Sequence, residues 1–168
     1  LETAFARSCN VTFGKLAYQL GLERLRETAE ALGFNENFKF SDFALYNSQF
    51  PTEIGNTSDL VWSGIGQGTV LVTPMHIATE SGTVTKSGSA QAWKQVMSAQ
   101  TAQIIQQYMY TTVESGTATR AQISGVRVCG KTGSAETSDD KTVETNSWYT
   151  GYIDDDAPPY AIAVVVEQ

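Results

Sequence analysis

Apolar residues recur at helical spacing along residues 11–20, at Val11, Phe13, Leu16, Ala17 and Leu20, and the run stops at Gly21. The spacing predicts a helix, with Gly21 where helices end in the left-handed conformation. A second stripe, Leu22, Leu25, Ala29 and Leu32, has Glu and Arg opposite it and predicts a helix over 22–32 that Gly33 stops. The two form a predicted helical hairpin. From 34 to 68 no period is sustained, so this Asn-, Ser-, Gly- and aromatic-rich stretch is expected to be mostly loop, with "SGIGQG" (63–68) its most glycine-dense part. Thr73-Pro74 has the form of an N-cap and first-turn proline, opening a short helix through Met75, Ile77 and Ala78. Residues 80–92, polar and small, read as a linker or hairpin. Ala102, Ile105, Met109 and Val113 predict a helix over 98–113, with Gly116 beyond its end. Three strands are predicted after it, over 123–132, 147–153 and 160–167, the last two joined by "DDDAPP", whose residues favour a turn. Helices first and a meander last indicate an α+β fold, an antiparallel β-sheet flanked by helices, rather than βαβ units.

Composition narrows the function. The chain of 168 residues has the size of one ordinary domain, and 41% hydrophobic residues is enough for a real core. Net charge is −7, from 11 basic and 18 acidic residues with no basic cluster, which argues against nucleic acid as a partner. No apolar run approaches the roughly 18 residues of a membrane span. The opening "LETAFARSCN" lacks the basic and apolar regions of a signal peptide and reads as the middle of a longer chain. Cys9, Cys129 and His76 are too few and too scattered for a zinc site, and neither metal nor cofactor is expected. The two cysteines could form one disulfide in an oxidising compartment, but sequence does not establish their proximity; they are read as structural thiols. His76, between Met75 and Ile77, is read as structural too, and Trp148, Tyr149 and Tyr152 as packing residues of a strand.

The candidate chemistry sits at two tripeptides. Lys131-Thr132-Gly133 matches K-[ST]-G, an element shared by penicillin-binding proteins and serine β-lactamases. Lys86-Ser87-Gly88 matches it as well, but lies between polar stretches, whereas Lys131 ends a predicted strand and is followed by a partner strand. Ser8-Cys9-Asn10 is the one S-x-N in the chain and lies just before a predicted helix. Its simpler reading is that Asn10 N-caps that helix.

Taken in order, "SCNVTFGKLAYQLG", "GIGQGTVLVTPMHIA", "VESGTA", "GKTGSAE", "SWYTGYI" and "AIAVVVE" resemble the transpeptidase domain of the penicillin-binding proteins over most of the chain. Gly66-Gln67-Gly68 followed by Thr73-Pro74 is similar to a stretch of the high-molecular-mass members, and Gly116-Thr117-Ala118 resembles a further family element. The resemblance implies acyl transfer on a peptidoglycan stem peptide ending in D-Ala-D-Ala, covalent binding of β-lactam antibiotics, and association with cell-wall synthesis machinery. It implies that Lys131 and Thr132 grip the terminal carboxylate, that Gly133 lets the substrate lie against the strand, and that the Ser134 N–H serves the oxyanion. Ser8 would relay a proton toward the leaving amine, and Asn10 would hydrogen-bond the substrate amide and the catalytic lysine. Both cysteines would then lie near the cleft.

The family's nucleophile belongs to S-x-x-K. The one match, Ser138-Asp139-Asp140-Lys141, follows K-[ST]-G in an acidic loop, which does not pre-organise a desolvated nucleophile. The nucleophile is therefore expected upstream of Leu1. Residues 1–168 read as one partial domain, helical over about 1–33 and 98–115 and sheet over about 123–168, short at both ends; over 80–97 it is shorter than the family pattern, either because this member is abbreviated there or because the chain omits residues. The expected location is the extracytoplasmic face of a bacterial membrane, behind an N-terminal anchor. The rival readings are a D,D-carboxypeptidase or β-lactamase of the same superfamily, and a non-catalytic penicillin-recognising sensor.

Overall fold

Strands β1 (Val128–Ala135), β2 (Asn146–Ile153) and β3 (Ala161–Val166) form an antiparallel meander in that spatial order. The structure is a computed structural model, and it describes residues 1–37, 46–81, 95–138, 140, 142, 144–155 and 160–167. These form two compact units, Leu1–Cys9 with Ile77–Gln168, and Asn10–His76. Helices with an antiparallel sheet give the α+β class that the order of elements in the sequence predicts.

In the first unit the predicted first strand is displaced. Ile123 pairs with Val126 across Ser124-Gly125, and Gly125 takes a φ of +77°, which closes a tight turn there. The strand proper starts at Val128 and continues through Lys131-Thr132-Gly133 to Ala135. The other two strands lie within a residue of their predicted starts.

Helices α1 (Glu2–Ala6) and α5 (Ala99–Ser115) complete this unit, α1 packing on α5 and α5 on β1. Ser98 caps α5, its Oγ accepting the Thr101 N–H at 3.1 Å. Met109, Thr112 and Val113 are buried on α5, whereas Ala102, expected on the apolar stripe, is exposed. The core is Val113, Ala118 and Val128, flanked by Ala121, Val126 and Tyr149. Val113 is 1% exposed, a burial that contributes about 1.5–3 kcal/mol. Tyr149 lies across Gly130 and Gly151, where a Cβ at either position would collide with its hydroxyl. Gly130 is thus a packing glycine. The C-terminus of α5 is sealed by the N–H groups of Gly116 and Ala118, both donating to Thr112 C=O at 3.1 Å. The Gln122 amide adds bonds to the carbonyls of Val113 and Glu114, each at 3.0 Å.

In the second unit α2 (Asn10–Ala31) is interrupted at Gly21, whose φ of 77° and ψ of 164° are not helical. The two predicted helices are therefore present, abutting at the predicted glycine. Gly33, at φ +98°, ends the second: its N–H donates to Glu30 C=O and that of Phe34 to Ala29 C=O, both at 3.0 Å, a Schellman cap. The buried positions of α2 are the small ones, Gly14, Ala17 and Ala29, while Val11 is 69% exposed.

Those small residues receive α3 (Thr57–Ser63), which the sequence pattern left in the loop region. A Cβ on Gly14 would stand 2.8 Å from Val61 Cγ1, and one on Gly64 would overlap Ala17 Cβ. Asn56 caps α3 by accepting the Asp59 N–H at 3.0 Å, and its own amide reaches back to Asp59 Oδ2 at 2.9 Å. Helix α4 (Pro74–Ser81) begins as expected, with Thr73 Oγ1 accepting the His76 N–H at 3.2 Å. It takes up the first two residues of the predicted 80–92 linker, whose remainder lies outside the described residues, as does Lys86-Ser87-Gly88.

Candidate active site

Lys131, Thr132, Gly133 and Ser134 occupy the middle of β1, opposite Thr150, Tyr149, Trp148 and Ser147 respectively. β1 is an edge strand, paired only with β2 among the described residues. Gly133 and Ser134 are exposed, and a Cβ on Gly133 would come 3.3 Å from Trp148 Cβ. A bare, exposed strand edge of this kind accepts an extended chain as an added strand.

Ser8 is brought to Lys131 by the way α1 ends. The Cys9 N–H donates to Ala4 C=O at 2.9 Å and the Ser8 N–H to Phe5 C=O at 3.1 Å. This is the same Schellman pairing as at Gly33, with Ser8 in the glycine position at a φ of +52°. A non-glycine residue there carries backbone strain. The resulting orientation sets Ser8 Oγ against Lys131 Nζ, which donates to it and also to the Thr132 carbonyl at 2.8 Å.

Lys131 is half-buried, and Nζ stands 5.7 Å from the centre of the Phe5 ring, itself packed 5.8 Å from Tyr108. Burial holds the amine's pKa below its ordinary value of 10.5. No carboxylate pairs with Lys131 among the described residues. In a chain of net charge −7, a partly desolvated cation without an acidic partner among the described residues is able to meet an anion from outside. Thr132 adds a hydroxyl beside it, 2.6 Å from the hydroxyl of Thr117.

Asn10 is the exposed first residue of α2, in the second unit. Ser138, of the S-x-x-K match, is exposed; its Oγ accepts the Asp140 N–H at 3.1 Å in a local turn, while Asp139 and Lys141 lie outside the described residues. Cys9 and Cys129 are not joined in a disulfide. Cys129 is fully buried, which raises its pKa and suits a structural thiol. His76, 3% exposed, holds the Leu32 carbonyl through Nε2 at 2.9 Å and packs 4.8 Å from the Phe34 ring, a structural role as expected. Two neighbours of the site escaped the sequence reading. Phe5 lies in a helix too short to show periodicity, and Thr117 belongs to a quoted family element to which no role was attached.

A strand-edge lysine held against a serine hydroxyl, with a threonine hydroxyl beside it, defines a site able to bind an anionic chain terminus next to a proton relay. The family described as the penicillin binding protein transpeptidase domain matches residues 1–168, and the chain belongs to that family. The peptidoglycan D,D-transpeptidase PbpA of Mycolicibacterium smegmatis is 27% identical, covering 99% of this chain and 38% of the relative. The crystal structure of PBPA from Mycobacterium tuberculosis is similar with a TM-score of 0.85 at 26% identity, covering 99% of this chain and 42% of that one. A second structure of penicillin-binding protein A from M. tuberculosis, its penicillin G acyl-enzyme complex, is similar with a TM-score of 0.80 at 26% identity and the same coverage. The chain spans between 26% and 38% of the length of the curated relatives it matches first.

Proposed function

We propose that this chain is part of a serine D,D-transpeptidase that cross-links peptidoglycan stem peptides and is acylated by β-lactams. The observation that carries the reading is the Lys131 ammonium, without an acidic partner among the described residues, held against Ser8 Oγ on an exposed strand edge. Family membership and the similarity to a penicillin acyl-enzyme support it.

The stem peptide lies along β1 with its terminal carboxylate on Lys131 and Thr132, and Gly133 leaves room for its backbone. A serine from an S-x-x-K segment outside these 168 residues attacks the penultimate D-Ala carbonyl, and the Ser134 N–H stabilises the oxyanion. As the tetrahedral intermediate collapses, the C–N bond breaks and the departing D-Ala amine takes a proton through Ser8. The amine of a second stem peptide then attacks the acyl-enzyme, releasing the serine and forming the cross-link. By the family resemblance, Asn10 holds the substrate amide and the lysine of the S-x-x-K segment. A β-lactam follows the first half, its ring opening in place of the peptide bond. Residues 1–168 belong to a single transpeptidase domain, acting with cell-wall synthesis machinery at the extracytoplasmic face of the membrane. No helix among the described residues is long and apolar enough to cross a membrane.

The test is to incubate the full-length protein with a labelled penicillin and weigh the adduct. One penicilloyl group is expected on a serine outside these residues, with Lys131→Ala slowing its formation at least a hundredfold. An adduct on Ser138, or an unchanged rate in the Lys131 variant, would overturn the assignment.

A further inference from the structure

Thr117 is exposed, yet everything around it is fixed. Its N–H donates to Ala6 C=O at 3.0 Å, joining the segment after α5 to the end of α1, two residues before Ser8. Gly116 is wedged between the two helices, since a Cβ there would collide with Ala6 O and lie 2.7 Å from Thr112 Cα. Ala118, 3% exposed, is part of the core and bonds back to Thr112 C=O at 3.1 Å. Held on both sides, Thr117 presents its Oγ1 to Thr132 Oγ1 at 2.6 Å.

A hydroxyl has one proton, and in such a pair only one partner donates to the other. If Thr132 donated to Thr117, it would turn lone pairs toward an incoming carboxylate and repel it. If Thr117 donates to Thr132, the Thr132 proton is free to point at the anion, and the chain Thr117 O–H to Thr132 O–H to carboxylate is polarised in one direction.

We infer that Thr117 is a positioning residue, which by donating its hydroxyl proton to Thr132 aims the Thr132 hydroxyl at the substrate carboxylate. The inference rests on the transpeptidase reading above. Thr117 itself need not touch substrate. Its backbone bond to Ala6 couples the same loop to the helix end that presents Ser8, so one rigid segment sets both hydroxyls of the site.

The test uses the full-length protein and compares Thr117→Val, of nearly the same shape but without a donor, with Thr117→Ser, which keeps one. Second-order acylation constants are measured with penicillin and with its carboxylate methyl ester, alongside Tm. With penicillin, T117V is expected to lose about tenfold and T117S less than threefold, a loss the size of one hydrogen bond to a charged group. With the ester, T117V and the parent should differ little. In a Thr132→Val background T117V should cause no further loss, because its effect passes through the missing hydroxyl. Equal T117V losses on acid and ester, additive losses in the double variant, or no loss at all would overturn the inference. Failure of the unsubstituted protein to form any adduct would instead sink the transpeptidase reading, and this inference with it.

Discussion

Replacing Ser8 by glycine and by alanine separates what its backbone and its hydroxyl each do. Both variants lose the hydroxyl that meets Lys131 Nζ, and they differ only by one exposed methyl group and the backbone freedom its absence brings. Ser8 sits at φ +52° in the glycine position of a Schellman cap, a conformation that disfavours an L-residue by roughly 1–2 kcal/mol. Alanine keeps that strain. Glycine relieves it, offset by about 0.4–1 kcal/mol for its greater freedom in the unfolded chain. The remainder, roughly 0.8 kcal/mol at the midpoints of those ranges, makes Ser8→Gly more stable than Ser8→Ala. Urea denaturation of both variants in the full-length protein measures the difference, and acylation by labelled penicillin measures the relay. Acylation should fall in both by about 10²–10⁴, the usual worth of a positioned proton-transfer group. If Ser8→Ala proves as stable as Ser8→Gly, the strain argument is wrong. If either variant acylates at the parental rate, Ser8 is not the relay.

Two further outcomes follow from the packing and the charge. Burial lowers the Lys131 pKa below 10.5, so the folded state releases this proton before the unfolded state does. The destabilisation from burying the cation is therefore fully present below the depressed pKa and is relieved as pH rises from there toward 10.5. Over that same interval anion binding is lost, and the alkaline limb of penicillin acylation should lie below pH 10.5; Lys131→Arg should remove that limb while lowering the rate throughout. A parental limb at or above 10.5 would show the amine to be solvated. Gly64 has an ordinary helical φ of −69°, so Gly64→Ala tests sterics alone. Its Cβ overlaps Ala17 Cβ, which should destabilise the protein by about 1–3 kcal/mol in urea denaturation, and Ala17→Gly in the same chain should restore part of the loss. A neutral Gly64→Ala would mean that α2 and α3 are not in close contact.

Elements announced by their own chemistry were legible in the sequence. Gly21 and Gly33 mark helix ends because only glycine enters the left-handed region freely, and Thr73-Pro74 opens a helix because a threonine oxygen and a donor-less proline suit its first turn. The meander follows from apolar strands separated by turn residues. Helix α3 was hidden because its packed face is built on glycine and alanine of the facing helix, which carry little hydrophobic signal. Its Asn56-x-x-Asp59 cap was the available clue. Helix α1 has five residues, too few for a period, and its ends are fixed by contacts with α5 and Thr117. β1 was placed too early because its apolar residues lie upstream, whereas its pairing continues through a polar Lys-Thr-Gly-Ser segment that resembles a loop.

That displacement and the strain at Ser8 have one physical source. On the proposed function, a strand edge that binds substrate carries a lysine, a hydroxyl and a bare glycine, and so gives up the alternating pattern that would have announced it as a strand. A helix end meant to present a hydroxyl must place a side chain where the sister cap at Gly33 has none, and so gives up glycine. Local rules thus fail at Ser8 and at Lys131-Thr132-Gly133, and the motif match falls at the same places. Agreement between the two is a stronger argument for the site than the motif alone, because a chance K-[ST]-G has no reason to carry its lysine to a strained serine.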